Sequence, residues 1–183
     1  MQSEKKEADP GYETSLVILV PDAEPVVSPF RQKYDPSASQ GMPAHITINY
    51  PFRADIPSRP ELYAKLDALF SKYPPIQFSL VRINQFPGVL FLEPVPVYPF
   101  IDLIQAVATE FPDSPPYKGE FSAVIPHLTV AQSDDKSEFK RIKSEFMEFS
   151  RRHLPIEITA EGASLMNNRS GTWSVQKKFP LTG

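Results

Sequence analysis

Four stretches of the chain carry apolar residues at the three- and four-residue spacing of an amphipathic helix. The first runs from Asp22 to about Tyr34, and the third runs from Pro99 to Phe111. The second begins at Ser58-Arg59-Pro60-Glu61, a capping box with proline in the first turn, and the fourth begins near Asp134. Because each apolar stripe must be covered, the pattern predicts four helices that pack on one or more sheets.

Shorter segments that are uniformly apolar or alternate between apolar and polar residues predict the strands. We expect them near residues 14–20, 45–50, 76–84, 88–94, 126–131, 156–166 and 171–179. The order strand, helix, strand, helix, strand then occurs twice, as expected for an internal duplication. We therefore predict a bilobal α+β fold, with two such units related by a pseudo-twofold axis and mainly antiparallel sheets around a central cleft.

Length and composition favour one self-sufficient unit. The chain has 183 residues, of which 41% are hydrophobic, and this is enough for a sizeable core. We expect residues 13–183 to form a single two-lobed domain and residues 1–12 to be a frayed N-terminus. The chain has no cysteine and no apolar run of membrane-spanning length, so we expect a cytoplasmic monomer without disulfides or membrane contact.

The distribution of charge limits the kinds of partner. Acidic residues outnumber basic ones by 22 to 19, and the basic clusters are no longer than the pairs Arg151-Arg152 and Lys177-Lys178. An extended nucleic-acid backbone is held through many phosphate contacts, so the sequence argues against such a grip. Binding of a small phosphate ester or of the end of an RNA is still compatible with this charge.

The strongest chemical signal is a repeated tetrad. His45-Ile46-Thr47-Ile48 has the same pattern as His127-Leu128-Thr129-Val130, in a chain with only three histidines. On a strand, the histidine and the threonine of each tetrad point to one face and the two apolar residues to the other. If the pseudo-twofold axis brings both strands together, two imidazoles and two hydroxyls line one cleft.

Two histidines that face one space suit acid–base chemistry, because a neutral imidazole accepts a proton and a charged one donates it near neutral pH. Threonine hydroxyls can bind the non-bridging oxygens of a phosphate. Alternatively, either histidine alone could be an ordinary core or surface residue. A zinc site needs more ligands, and the third histidine, His153, follows a Lys/Arg-rich helix. The sequence also lacks the Gly-x-Ser-x-Gly elbow that is typical of a serine triad. We predict neither a metal nor another cofactor.

The tetrads resemble the paired His-x-Thr-x motifs of the 2H phosphoesterase superfamily, particularly its 2′-5′ RNA ligase-like branch. The resemblance includes Asn49-Tyr50-Pro51-Phe52 after the first tetrad, Phe86-Pro87-Gly88 before the third helix and Gly171-Thr172-Trp173 near the end. It covers roughly residues 13–181. It implies a bilobal α+β body with a central cleft, in agreement with the duplication.

The resemblance also implies a function. Carried over to this sequence, it makes His45 and His127 the catalytic pair, and Thr47 and Thr129 the residues that bind the substrate phosphate. The expected activity is that of a metal-independent phosphodiesterase, which opens 2′,3′-cyclic phosphates of nucleotides or RNA ends by two-histidine acid–base catalysis. A 2′-5′ RNA end ligase is one alternative, and a non-catalytic nucleotide-binding module that uses the same cleft is another.

The contacts to the rest of the substrate are less clearly marked. Aromatic rings stack on exposed bases, although core packing explains such residues as well. The candidates for base or ribose contacts are Tyr50, Phe52, Tyr117, Phe121 and Trp173, with Lys118 and Arg53 as candidate contacts to phosphate or ribose.

The two histidines also predict a pH dependence. We expect a bell-shaped profile with both limbs between about pH 5 and 8, because one ring must be neutral while the other is protonated. We take His127 as the base and His45 as the acid, although the symmetry of the motifs allows the reverse order equally well.

Overall fold

The computed structural model describes residues 11–52, 59–120 and 124–183, and in this part of the chain it contains two four-stranded sheets. The strands are, in chain order, β1 (Thr14–Leu19), β2 (His45–Asn49), β3 (Ile76–Phe86), β4 (Val89–Val95), β5 (Leu128–Gln132), β6 (Ile156–Ala160), β7 (Gly162–Asn167) and β8 (Ser174–Pro180). The helices are α1 (Glu24–Tyr34), α2 (Pro36–Ser39), α3 (Arg59–Phe70), α4 (Tyr98–Glu110) and α5 (Lys136–Ser150), with 3₁₀ turns at Pro21–Ala23 and Pro116–Gly119.

Each sheet combines strands from both sequence repeats. The first sheet has the order β2-β1-β7-β8 and the second has the order β5-β4-β3-β6, and all neighbouring strands are antiparallel. β3 of the first repeat thus pairs with β4 of the second, and β7 of the second repeat pairs with β1 of the first. The predicted α+β fold with antiparallel sheets is confirmed, with an exchange of strands that the repeats alone did not indicate.

The pairing of β3 with β6 reveals the position of the pseudo-twofold axis. Its register places Ile76 opposite Ala160, Phe78 opposite Ile158 and Leu80 opposite Ile156. In the two repeats Ile76 corresponds to Ile156, Phe78 to Ile158 and Leu80 to Ala160. A rotation that exchanges the repeats therefore converts the first of these pairs into the last and maps the central pair, Phe78 and Ile158, onto itself. The helices agree with this symmetry, since α1 contacts β5 and α4 contacts β2.

The prediction of one strand over residues 156–166 is wrong, because the chain changes sheets within it. β6 pairs with β3, whereas β7 pairs with β1 and β8. Glycine permits this crossing: a Cβ at Gly162 would lie only 2.7 Å from the carbonyl oxygen of Phe179. The sequence did not reveal the break because both halves have the composition of a strand.

The four predicted helices are present, and the start of α5 has a clear cause. Asp135 caps α5 by accepting hydrogen bonds from the backbone N–H groups of Ser137 at 2.8 Å and Glu138 at 2.7 Å. The predicted cap of α3 at Ser58 lies outside the described residues, as does most of the predicted N-terminal segment. Within the described ranges, no helix is long and apolar enough to cross a membrane.

The short helix α2 was not predicted. It follows α1 directly, and Asp35 caps it by accepting from the backbone N–H of Ser37 at 3.0 Å. Four residues are too few to show a helical period, so only the Asp-Pro sequence marks it. This helix matters for the site because it brings Asp35 and Ser37 to the wall of the cleft.

Candidate active site

The two tetrads have the alternation that their sequence predicts. In each of them the histidine and the threonine are half-buried, and the two apolar residues are buried in the core. His45 begins β2, and His127 lies one residue before β5. Both histidines, with Thr47 and Thr129, line one cavity of about 800 Å³ between the two sheets. The fold therefore brings together the four polar side chains of the repeated motif.

Both histidines make the same hydrogen bond to the backbone. Nδ1 of His45 lies 2.7 Å from the carbonyl oxygen of Pro43, and Nδ1 of His127 lies 2.7 Å from that of Ile125. A carbonyl oxygen only accepts, so Nδ1 carries a proton in both rings. Nε2 is then the nitrogen of each ring that is left for proton transfer.

Burial disfavours the charged form of both imidazole rings. It is the main reason that the pKa of His45 is lowered from 6.5 to about 4; the hydrogen bond to Pro43 opposes this shift, and the positive charge of Arg31 adds to it. Burial also lowers the pKa of His127, against the hydrogen bond to Ile125, and that shift is smaller. In the free protein His45 therefore stays neutral at a pH where His127 takes up a proton.

The surroundings of the two rings differ. His127 packs against a pair of aromatic rings, with its centroid 5.2 Å from that of Phe86 and 5.2 Å from that of Phe91, and these two rings contact each other. On the side of His45, the ion pair of Arg31 and Asp35 is buried, with Nε and Oδ2 3.0 Å apart. The symmetry of the fold thus presents two equivalent histidines in unlike environments.

Tyr117 reaches the site from the loop after α4. Its hydroxyl forms a hydrogen bond with the side chain of Thr47, and burial raises the pKa of this phenol. Its backbone N–H donates to the carbonyl oxygen of Tyr50 at 2.6 Å, and its φ of 51° lies in the left-handed region, where an aromatic residue is strained. Strain of this kind occurs where the surrounding structure requires a side chain to be in one place.

Comparison with known proteins agrees with this geometry. The family model described as the 2′-5′ RNA ligase superfamily matches residues 19–172. The chain belongs to this superfamily. A curated relative from Geobacillus thermodenitrificans (strain NG80-2), named "Putative phosphoesterase", is 23% identical over an alignment of length 163, which covers 84% of this chain and 87% of the relative.

Solved structures of the superfamily fold are similar over nearly the whole chain. The protein TT0787 of Thermus thermophilus is 19% identical with a TM-score of 0.57, and the alignment covers 93% of this chain and 98% of that one. E. coli LigT complexed with 3′-AMP is 15% identical with a TM-score of 0.57 and the same two coverages. At such identities the structures support the fold, and the predicted resemblance to this superfamily is confirmed.

Three of the aromatic candidates for substrate contacts line the cavity of this superfamily member. They are Tyr50, Tyr117 and Trp173. The hydroxyl of Tyr50 donates to a carboxylate oxygen of Glu13, which also lines the cavity. Trp173 is only 8% exposed because it packs with Val17, Met42 and Met166. Its ring therefore forms part of the wall as well as part of the core.

The other candidates have different outcomes. Phe52 is buried and packs edge-on against Phe111, with ring centroids 5.3 Å apart, so its assignment as a base contact is wrong. Lys118 is exposed and does not line the cavity. Phe121 and Arg53 lie outside the described residues.

Several cavity residues were missed in the sequence. They are Glu13, Ser15, Asp35, Ser37, Gln40 and Met42 beside the first tetrad, and Phe86, Val89, Val124 and Ile125 beside the second. One signal could have found part of them, since Arg31 and Asp35 are four residues apart at the end of a predicted helix. In the described part of the chain, no three His, Cys, Asp or Glu side chains form a group that could hold a metal ion.

Proposed function

We propose that this protein is a metal-independent phosphodiesterase that opens 2′,3′-cyclic phosphates of nucleotides or RNA ends. The observation that carries the proposal is the pair of histidines with the same Nδ1 hydrogen bond, placed in one cavity with two threonines. This arrangement leaves two Nε2 atoms free to act on one phosphate. Ring opening needs one base and one acid, and two imidazoles supply both.

We assign the base to His45 and the acid to His127. The lower pKa of His45 keeps this ring neutral while His127 is charged. Nε2 of His45 takes a proton from water as the water oxygen bonds to phosphorus. The bond from phosphorus to one ribose oxygen breaks, and Nε2 of His127 gives its proton to that oxygen. This order is the reverse of the one taken from the sequence, where the symmetry left both open.

Thr47 and Thr129 are the proposed phosphate ligands. Each is two residues after its histidine on the same face of the strand, about 7 Å along the chain, so the hydroxyls lie beside the imidazoles. Donation to the non-bridging oxygens would hold the phosphate between the two rings and stabilise the charge that develops on it. Tyr117 supports this role on one side, since its hydrogen bond orients the hydroxyl of Thr47.

The size of the cavity and the nucleotides found with relatives support a nucleotide substrate. A volume of about 800 Å³ is within the usual range for a site that takes a molecule of this size. E. coli LigT, a protein of the same fold, has been crystallised with 3′-AMP, ATP and NADP⁺. A ribonucleotide or the last nucleotides of an RNA are therefore the substrates that we propose for this chain.

The decisive experiment is a screen of the purified protein in the presence of EDTA. The substrates are 2′,3′-cyclic nucleotides, ADP-ribose cyclic phosphate and a short RNA with a cyclic end, and the product is identified by ³¹P NMR. We expect a phosphomonoester from at least one of them, and none from the His45→Ala, His127→Ala variant. Tight binding without turnover would instead support the binding module. Formation of a 2′-5′ link with an added 5′-hydroxyl RNA would support the ligase, in which that hydroxyl replaces water.

A further inference from the structure

The carbonyl oxygen that holds the ring of His45 belongs to a segment fixed by a buried arginine. This acceptor is on Pro43, and the residue before it, Met42, accepts a hydrogen bond from Nη2 of Arg31 at 3.1 Å. The side chain of Arg31 is only 2% exposed. A guanidinium buried in this way leaves its carbonyl partner little freedom to move, because it is also bonded through Nε to Asp35 and through Nη2 to Ser37.

A second charged residue of α1 fixes the other side of the same segment. The backbone N–H of Ala44 donates to Oε1 of Glu24 at 2.5 Å, and the hydroxyl of Ser28 donates to Oε2 of Glu24 at 2.6 Å. The carbonyl oxygen of Ala44 accepts from the backbone N–H of Val20 at 2.8 Å. The residues on both sides of Pro43 are thus tied to α1 or to the end of β1.

The arginine is itself held by Asp35. Nε of Arg31 is 3.0 Å from Oδ2 of Asp35, and the other oxygen of this carboxylate accepts from the hydroxyl of Ser37 at 2.8 Å and from its backbone N–H at 3.0 Å. A buried ion pair is weak evidence for stability, since hydrophobic residues of similar volume often do as well. Its value here is positional, because it sets the direction of a single donor toward Met42.

The hydrogen bonds of Arg31 and Glu24 to Met42 and Ala44 form a brace behind His45, and the residues that the structure describes contain no such brace behind the other histidine. Its acceptor, Ile125, is 50% exposed, and the ring of His127 packs against Phe86 and Phe91 instead. The helix that corresponds to α1 is α4, whose sequence contains no Lys or Arg. The polar brace is therefore a feature of one half of a pseudo-symmetric site.

We propose that Arg31 and Glu24 are positioning residues for His45. By fixing Met42 and Ala44 they hold the carbonyl of Pro43 where Nδ1 of His45 must donate to it, and this keeps Nε2 directed to the cavity. The catalytic consequence rests on the function proposed above. The tautomer of His45 does not, so it can be measured separately.

Two sets of variants test the brace. Arg31→Met combined with Asp35→Asn removes both buried charges while the asparagine oxygen still caps α2. Glu24→Ala removes the acceptor for Ala44, whereas Glu24→Gln keeps an oxygen there and should rescue it. Arg151→Met is the matched control, because Arg151 forms its ion pair with Glu148 on the surface, where the arginine side chain is 71% exposed.

Two readouts separate positioning from general loss of structure. Long-range ¹H–¹⁵N spectra at pH 8, above the pKa of His45, report which nitrogen carries the proton. We expect the Nδ1–H form of His45 in the wild type, mixed tautomers in the charge-free and Glu24→Ala proteins, and an unchanged spectrum for His127. We also expect kcat to fall at least tenfold in those two proteins, with KM changed less than threefold, and Glu24→Gln and Arg151→Met to match the wild type.

The outcomes are distinguishable from failure of the proposed function. If the wild type turns over no phosphodiester, that function is wrong, and the spectra still decide whether the brace sets the tautomer. If the protein with Arg31→Met and Asp35→Asn folds and gives the wild-type spectrum of His45, the proposed role of Arg31 is wrong. If that variant does not fold, the comparison of Glu24→Ala with Glu24→Gln tests the proposal, because both variants keep the buried pair of Arg31 and Asp35 intact. Equal spectra and equal kcat for those two would overturn the proposal.

Discussion

His45 and His127 donate the same hydrogen bond from Nδ1, each to the backbone carbonyl oxygen two residues earlier in the chain. The bond fixes one tautomer in both rings, so the nitrogen without a proton in each neutral ring is Nε2. What differs is the wall behind each ring, which is polar and charged for the first and aromatic for the second. The proposed division into base and acid rests on the pKa of His45, which burial lowers to about 4.

Replacing either cavity histidine by alanine should lower kcat/KM at least 100-fold, because a positioned acid or base contributes on that order. The double variant should be little worse than each single one, since the two rings act on the same step. The third histidine is the control: His153 is exposed, with Nδ1 bonded to the carbonyl oxygen of Phe149 at 2.9 Å, and His153→Ala should keep full activity. Full activity of the His45→Ala, His127→Ala protein would contradict the assignment.

The pH profile should be shifted toward acid from the range of 5 to 8 expected from the sequence. Below the lowered pKa of His45, near 4, both rings are charged and the base is lost. As the pH rises through the lowered pKa of His127, the acid loses its proton, so the basic limb of kcat/KM should lie below pH 6.5. A bound phosphate anion favours the charged rings, and the limbs of kcat should lie at higher pH than those of kcat/KM. Activity that only rises with pH would contradict this mechanism.

Thr47→Val and Thr129→Val should each lower kcat/KM by about tenfold to a few hundredfold, through the loss of one hydrogen bond to the phosphate. Valine keeps the branched shape that packs in a strand, so the fold should be retained. Thr159→Val on β6 is the control, because Thr159 is exposed. If the cavity variants behave like the control, the threonines do not bind the phosphate.

Chelators should leave the rate unchanged. The proposed steps transfer protons between Nε2 atoms, water and a ribose oxygen, and none of them uses a metal ion. Turnover measured before and after prolonged dialysis against EDTA checks this, with Mg²⁺, Mn²⁺ and Zn²⁺ added back in turn. Loss of activity that one of these ions restores would require the histidines to be reinterpreted as ligands.

The strained loop before β5 gives a prediction about stability. Lys118 has a φ of 55°, which costs about 1 kcal/mol for a residue with a Cβ atom. Lys118→Gly should therefore stabilise the protein by about this amount, because glycine adopts such a φ freely. Lys118→Ala should bring no such gain, since alanine keeps the Cβ atom. Thermal denaturation of the three proteins tests this, and equal midpoints would contradict it.

Much of the fold could be predicted because its elements carry strong periods. The tetrads alternate strictly and the helices have clear apolar stripes, so α1 and α4 begin and end within a few residues of their predicted limits, and α5 begins within a few residues of its own. The exchange of strands between sheets could not be predicted. It depends on the pairing of β3 with β4 and of β7 with β1, which are contacts between distant residues that no local pattern encodes.

The site was predicted to the extent that its residues share a repeated motif. His45, Thr47, His127 and Thr129 meet in one cavity because equivalent strands lie on either side of the pseudo-twofold axis. The brace of Arg31 and Glu24 has no counterpart among the described residues of the second repeat, so comparison of the repeats did not reveal it. The low pKa of His45 also depends on burial, which becomes known only when the walls of the cavity are in place.

The strand exchange bears on how a site with two equivalent halves can arise. A chain that ended after β3 would have one strand, β3, without the neighbour that β4 provides, and would leave the edge of β1 that β7 covers unpaired. Two copies of such a half-length chain would satisfy each other by placing β3 of one beside β1 of the other, and each would supply one imidazole to a shared cleft. Because both chains of that homodimer would have the same sequence, the two imidazoles would have identical surroundings. Fusion into one polypeptide removes that restriction, which is why one histidine can lie near a buried arginine and the other can pack against two phenylalanines.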